Sequence, residues 1–329
     1  MPFSLEIIVF FVVSALAATW ILVDYRWRAD APAWERVAWW IGTTVALPIF
    51  LPMYLIAARP AGRLVRCPAC GRQTLAHRAA CGHCGSAIAF EPAPPVWGLG
   101  EVVGVAVVFT LGLPTVLAVL DIGATPSLPV VAAVVVAQAA IFLVLPLYIV
   151  RRRYGLPRSA VGLRFERWPL WTGLGLAAGA VSIALSVLLE RLAIYLIGFV
   201  AGRDRAAAMA EQEHLADVLT AILKGPLAVA DLVLVFLLVC ALVPVAEELF
   251  FRGFVYGALR RWGVAAAALL SALFFAAVHN QIVHFLPIFA LGLILALLYE
   301  RTGSLLPAML VHAVNNVVAL LSALNDWRF

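Results

Sequence analysis

Charge is what this chain of 329 residues has least of. Lys, Arg, Asp and Glu make up 12% of it, against about 25% in an average soluble domain. With 64% hydrophobic residues and several apolar runs of about 20 residues, a soluble globular fold is excluded. The apolar runs are continuous, with none of the alternation of a membrane barrel, so the spans are helices. The start of the chain lacks a basic segment and a small-residue cleavage site. Its first apolar run is therefore expected to be a retained membrane helix rather than a signal peptide. Internal repeats are missing, and so is any long soluble segment. The net charge of +5 fits arginines in cytoplasmic loops and gives no reason to invoke nucleic acid.

What is present is an all-α polytopic membrane protein of about nine transmembrane helices. The spans fall near residues 4–23, 37–57, 98–120, 128–150, 168–190, 226–251, 264–280, 285–299 and 304–323. Trp20, Trp27, Trp34, Trp39 and Trp40 crowd the first loop, as an interfacial belt does. Arg59, Arg63, Arg66, Arg72 and Arg78 lie in one loop and Arg151–Arg153 in another, which places both loops and the N-terminus on the cytoplasmic side. Residues 201–224 are polar, yet Leu215, Val218, Leu219 and Ile222 keep helical spacing, so a surface-lying amphipathic helix is expected there.

Residues 59–96 interrupt the apolar pattern. Cys67-Pro68-Ala69-Cys70 and Cys81-Gly82-His83-Cys84 are two CxxC knuckles, each followed by glycine (Gly71, Gly85). Four thiolates so spaced fit tetrahedral zinc, and the glycines permit the tight turns around it. A redox pair would use one CxxC in a βαβ setting, which is absent. A segment this short cannot build a core, so the metal supplies its folding free energy. The domain reading is thus residues 1–58 as two helices, 59–96 as a cytoplasmic zinc ribbon with its Pro-rich linker, and 97–329 as a helical bundle. Cys240 has no partner left and reads as a packing residue.

Within the bundle, polar groups sit where apolar ones are expected. Glu247, Glu248 and Arg252 close one apolar run, His279 ends a second, and His312, Asn315 and Asn316 lie in a third. Carboxylates at membrane depth cost about 2.5–3.5 kcal/mol each, so they need partners or a purpose. Glu248 and Arg252 are four apart and can pair, while Glu247 points about 100° away, toward histidine. A carboxylate, two imidazoles and a carboxamide can polarise a water and steady an oxyanion. Glu247, His279 and His312 could equally ligate a metal with an open water position. The bland alternatives are interhelical hydrogen bonds for the histidines and Asn315, and a structural pair for Glu248 and Arg252. His284, in a predicted loop, is a marginal candidate for the same site.

Glu247-Glu248-x-x-x-Arg252, Phe275-x-x-x-His279 and His312-x-x-x-Asn316 resemble the three-motif signature of the CAAX-protease and bacteriocin-processing family (CPBP). The flanking Phe251-Arg252-Gly253-Phe254 and Leu298 to Leu305 resemble its bacterial members, and the match covers roughly residues 150–325. The resemblance implies an intramembrane endopeptidase of a metalloprotease class. Glu247 would be the general base and His279 its partner on the water. His312 and Asn316 would hold the oxyanion, or His312 would serve as a metal ligand. Glu248, Arg252 and Phe275 would support them. Expected partners are membrane lipid, a peptide or lipid-modified substrate, and a cytoplasmic partner recruited by the ribbon. A non-catalytic scaffold and, less favourably, a proton-coupled transporter are the competing readings. Depth is the discrepancy. Glu247 would lie about 8–12 Å from its cytoplasmic end and His279 more than about 20 Å from Val264.

Overall fold

A computed structural model describes residues 5–28, 32–92, 96–120, 127–215 and 222–325. The chain divides into two compact units, Met1–Asp121 and Ile122–Phe329.

In the first unit α1 (Leu5–Arg28) packs against α2 (Ala33–Val45). The single span expected over 37–57 is instead two helices, α2 and α3 (Leu47–Ala58), with a break at Ala46 (φ −137°, ψ 61°). Pro48 is the cause: it has no N–H to continue the ladder, and its ring crowds the carbonyl four residues back. Asp24 gathers the charges at the end of α1, accepting from Arg28 Nε at 2.8 Å, Arg59 Nε at 2.8 Å and the Tyr54 hydroxyl at 2.6 Å. α4 (Leu99–Val119) lies on α3, where a Cβ at Gly104 would come within 2.7 Å of Ile56 Cγ1. Between α3 and α4, β1 (Leu64–Arg66) pairs antiparallel with β2 (Gln73–Leu75), and an isolated bridge joins Ala80 to Ala87. Arg28 Nη1 ties this module to α1 by donating to the Gly62 carbonyl at 2.7 Å.

The second unit holds α5 (Leu128–Arg153), α6 (Trp168–Ala201), α7 (Arg203–Leu215), α8 (Val229–Trp262), α9 (Val264–Val278), α10 (Phe285–Thr302) and α11 (Leu306–Asn325). Seven helices among the described residues are long and apolar enough to cross a membrane; α3 and α9 are shorter apolar helices. The protein is a polytopic all-α membrane protein. Leu188, Phe199 and Val200 face outward from α6, as hydrocarbon-facing residues do. α6 runs well past the expected end at residue 190, because apolar Leu192 to Val200 follow Glu190-Arg191. It meets α11 closely at Gly175, where a Cβ would stand 2.8 Å from Leu310 Cβ. Val218 and Leu219, on which the amphipathic helix rested, lie outside the described residues; α7 itself is polar.

α8 corrects the sequence reading most. It continues beyond residue 251 to Trp262, with Phe254, Val255 and Tyr256 still buried. Glu247 therefore lies fifteen residues before Trp262 and His279 fifteen after Val264. The two residues share a level in an antiparallel pair, and the apparent mismatch in depth came from ending α8 too early. Leu249–Tyr256 is wound as a wider π-type turn, a form common at functional sites.

Candidate active site and metal centre

The charged cluster of the second unit is almost fully enclosed. Glu248 and Arg252 are 0% exposed, His312 3% and Glu247 8%. Arg252 Nη1 donates to Glu248 Oε1 at 2.8 Å, the expected pair one turn apart. Its Nη2 reaches the Gly292 carbonyl at 3.4 Å, and its guanidinium lies 4.2 Å from the centroid of the Phe275 ring. Burial of such a charge is tolerable only with partners of this kind. Phe142, Phe250, Phe251, Phe274 and Phe275 pack ring against ring beside the cluster.

His312 joins the two glutamates. Its Nδ1 is 2.9 Å from Glu248 Oε1 and its Nε2 3.8 Å from Glu247 Oε2. A carboxylate can only accept, so Nδ1 carries the proton, and in the neutral ring Nε2 is left as an acceptor. The sequence placed histidine opposite Glu247 alone; the hydrogen bond it makes is to Glu248. Glu247 Oε1 accepts from Gln138 Nε2 at 3.3 Å, while its Oε2 is buried with no hydrogen-bond partner. Two acceptors thus face each other across 3.8 Å, a spacing that suits a shared proton donor such as water.

His279 caps the end of α9. Its Nδ1 donates to the Phe275 carbonyl at 2.7 Å, which again leaves Nε2 as the acceptor. The Phe275 ring touches both imidazoles edge-on, at centroid distances of 4.8 Å to His279 and 5.7 Å to His312. Asn316 Nδ2 donates to the Val239 carbonyl at 2.8 Å, using one of its two N–H groups to fasten α11 to α8. Asn315 is an interhelical tie, donating to Ser182 Oγ at 2.7 Å. Cys240 packs in the apolar cluster around Val235 and Leu320. His284 lies apart from the glutamate pair, between Glu213 and Glu190.

Gln138 was not singled out from the sequence. A signal existed, since it is the one strongly polar side chain in the apolar run Leu128–Tyr148.

In the first unit, Cys67, Cys70, Cys81 and Cys84 bring their four sulfurs within 4.8 Å of one another, which can hold a metal ion. Sulfurs of Cys67 and Cys84, and of Cys70 and Cys81, stand 3.8 Å apart. The two knuckles repeat one design. Gly71 N–H bonds the Cys67 carbonyl and Gly85 N–H the Cys81 carbonyl, both at 2.9 Å, and these glycines have φ of 70° and 72°. Only a residue free of a Cβ takes that conformation without strain. The Ser86 hydroxyl and backbone N–H pull the Cys84 thiol down to about 6. Cys70 goes the other way, to about 11: although the Arg72 backbone lowers it, burial and three neighbouring sulfurs raise it.

Residues 229–318, which carry Glu247, Glu248, Arg252, Phe275, His279, His312 and Asn316, match a family model described as type II CAAX prenyl endopeptidase, Rce1-like. This segment is similar to that family. The description of that family, a prenyl endopeptidase, is in line with the resemblance read from the three motifs. No curated protein and no solved structure shows a significant match to the chain.

Proposed function

We propose that the protein is an intramembrane endopeptidase that hydrolyses a peptide bond of a membrane-associated or lipid-modified substrate with a water activated by Glu247. The observation that carries this reading is the buried, unpartnered Glu247 Oε2 facing His312 Nε2 across 3.8 Å inside an Rce1-like segment. Glu247 takes one proton from the water as the oxygen attacks the carbonyl carbon. The same proton then passes to the leaving amine as the C–N bond breaks, giving a carboxylic acid and an amine. The acid's remaining proton moves to the amine, so that they leave as carboxylate and ammonium. Gln138 holds the other carboxylate oxygen and so directs Oε2 toward the water. The second N–H of Asn316, and Nε2–H of His312 when that ring is doubly protonated, are the donors for the developing oxyanion. His279 Nε2 serves as a second acceptor on the water. Glu248 and Arg252 fix the His312 ring. A divalent ion held by Glu247, His279 and His312 would supply Lewis-acid activation of the same water, although among the described residues the four ribbon cysteines are the group whose ligand atoms gather closely enough to hold a metal.

In the ribbon, four sulfurs each about 2.3 Å from a tetrahedral zinc stand about 3.8 Å apart, the spacing of the two measured pairs. Zinc there is closed off by four protein ligands and is structural. We assign the ribbon the recruitment of a cytoplasmic partner. The arginine distribution supports a cytoplasmic N-terminus and ribbon, and the likeness of the 251–254 and 298–305 segments to bacterial members of the family supports a bacterial inner membrane.

The deciding experiment compares wild type with Glu247→Gln in vesicles, on a peptide ending in a prenylated Cys-a-a-X sequence. Cleavage should fall about 10²–10⁴-fold, the usual share of a general base. Unfolding should be unchanged, since a glutamine oxygen still accepts from Gln138. Unaltered cleavage removes Glu247 from the mechanism. Loss on chelation, reversed by an added divalent ion in a variant lacking the ribbon cysteines, assigns the cluster a metal.

A further inference from the structure

His279 is the first residue of a short turn, 279–284, that joins α9 to α10. Asn280 follows it with φ of 52°, the one positive φ at a non-glycine among the described residues. Left-handed backbone costs about 1–3 kcal/mol outside glycine and persists only where its surroundings hold it. The holding group comes from α7. Glu213 Oε1 accepts the N–H of Ile282 at 2.7 Å and of Val283 at 3.0 Å. Its Oε2 accepts the N–H of His284 at 3.4 Å and the ring Nδ1–H of His284 at 3.0 Å. One carboxylate thus satisfies the unpaired donors at the start of α10, where a negative charge is also favoured by the helix dipole. The His284 ring, fixed on one side, turns Nε2 to within 3.7 Å of Glu190 Oε1 on α6. Glu213, from a helix outside the membrane-length set, therefore clamps the turn that carries His279.

We propose that Glu213 is a positioning residue of the active site: by capping the 282–284 turn it sets the place of the His279 ring. This rests on the proposed role of His279 in hydrolysis. α7 then becomes part of the working site, although it is polar and spans nothing. The His284–Glu190 contact braces the same clamp from α6.

The test pairs Glu213→Ala and Glu213→Gln with two readouts in the full-length protein. Hydrogen exchange reads the amides of Ile282, Val283 and His284, and nitrogen NMR of labelled histidine reads the His279 ring; neither needs activity. Glu213→Ala should lose protection at those three amides and shift the His279 signals, with the rest of α10 unchanged. On the prenylated peptide its kcat should drop about 10–100-fold, the scale of a small misplacement, with KM nearly constant. Glu213→Gln keeps one acceptor oxygen and should recover part of both. In a His279→Ala background Glu213→Ala should add nothing. Unchanged amides and His279 signals overturn the clamp. Exposed amides and shifted signals with full kcat, while Glu247→Gln is dead, overturn the link to catalysis alone. A fully active Glu247→Gln or His279→Ala instead removes the proposed mechanism, and with it the catalytic half of the inference.

Discussion

Replacing Arg252 by methionine tests whether the enclosed charges form one unit. The guanidinium is 0% exposed, 2.8 Å from Glu248 and 4.2 Å from the Phe275 centroid. At that separation the ion pair is worth about 6 kcal/mol at an effective dielectric constant of about 20. Desolvation of both charges offsets much of it, so the pair itself adds little net stability. Removing one partner is different, because the other stays buried and uncompensated. Arg252→Met should therefore cost about 3–5 kcal/mol, part of it the lost contact with Phe275, which is about 2 kcal/mol when desolvated.

The double variant Glu248→Met, Arg252→Met removes the stranded charge. Its main defect is then the His312 Nδ1–H left without an acceptor, at about 1–3 kcal/mol. It should thus be more stable than Arg252→Met alone, yet still inactive, since His312 has lost its anchor. Equilibrium unfolding in mixed micelles measures the first quantity, and cleavage of the prenylated peptide the second. A cost below about 1 kcal/mol for Arg252→Met, or strictly additive single costs, would falsify the single-unit reading.

In the ribbon, replacing Cys67 and Cys70 together by serine should release one metal ion per chain, measured by metal analysis of purified protein, and should unfold the β1–β2 hairpin; retained metal means the ligands are misassigned. Gly253→Ala places a Cβ 2.7 Å from the Val161 carbonyl oxygen and 3.1 Å from its Cβ, so thermal stability should fall by about 1–3 kcal/mol of overpacking, and an unaltered midpoint would mean that α8 and the 158–162 turn are not in contact. Burial raises the Glu213 carboxyl, but the Val283 N–H and the His284 ring, with the N–H groups of Ile282 and His284, outweigh it and hold the group below its ordinary value. A lowered folded value means that the clamp is complete above the unfolded value of about 4.3 and is lost as pH falls through the folded one. Amide protection at 282–284, corrected for intrinsic exchange, should be constant from about pH 5 to 8 and drop below about pH 4. Among the described residues His284 and, through it, Glu190 are the titratable groups that face this carboxylate, and a drop near pH 6 would point to His284 instead.

Much of the site could be read from the sequence because charge in an apolar run is expensive and must be accounted for. Glu247, Glu248, Arg252 and His312 stood out for that reason, and the structure brings them into contact. Gln138 was passed over because a neutral amide carries a smaller penalty, though its isolation in an apolar run was a usable sign. The Glu213 clamp was out of reach for another reason. Its partners lie 69 to 71 residues away, and nothing local marks a carboxylate that caps another element's helix. A span ending at residue 251 treats Arg252 as a charge at the membrane boundary. Arg252 is instead neutralised inside the bundle, so the helix could continue to Trp262. The break at Ala46 had its cause in plain view at Pro48, but a continuous hydropathy run conceals a change of direction.

The shared imidazole changes how the two glutamates should be weighed. From spacing alone, Glu248 and Arg252 looked structural and Glu247 chemical, as separate tasks on separate helix faces. His312 touches both carboxylates, through Nδ1 on one and Nε2 on the other. The charge on Glu248 fixes which nitrogen carries the proton, and so what His312 can offer the water beside Glu247. Arg252, in turn, pairs with Glu248 at 2.8 Å inside the enclosed, aromatic-lined site. A change at any of the four therefore reaches the reacting atoms through the ring, and Glu248→Gln should impair cleavage even where the fold tolerates it. If Glu248→Gln is folded and cleaves at the wild-type rate, the imidazole does not couple the pair to the water, and Glu247 acts without it.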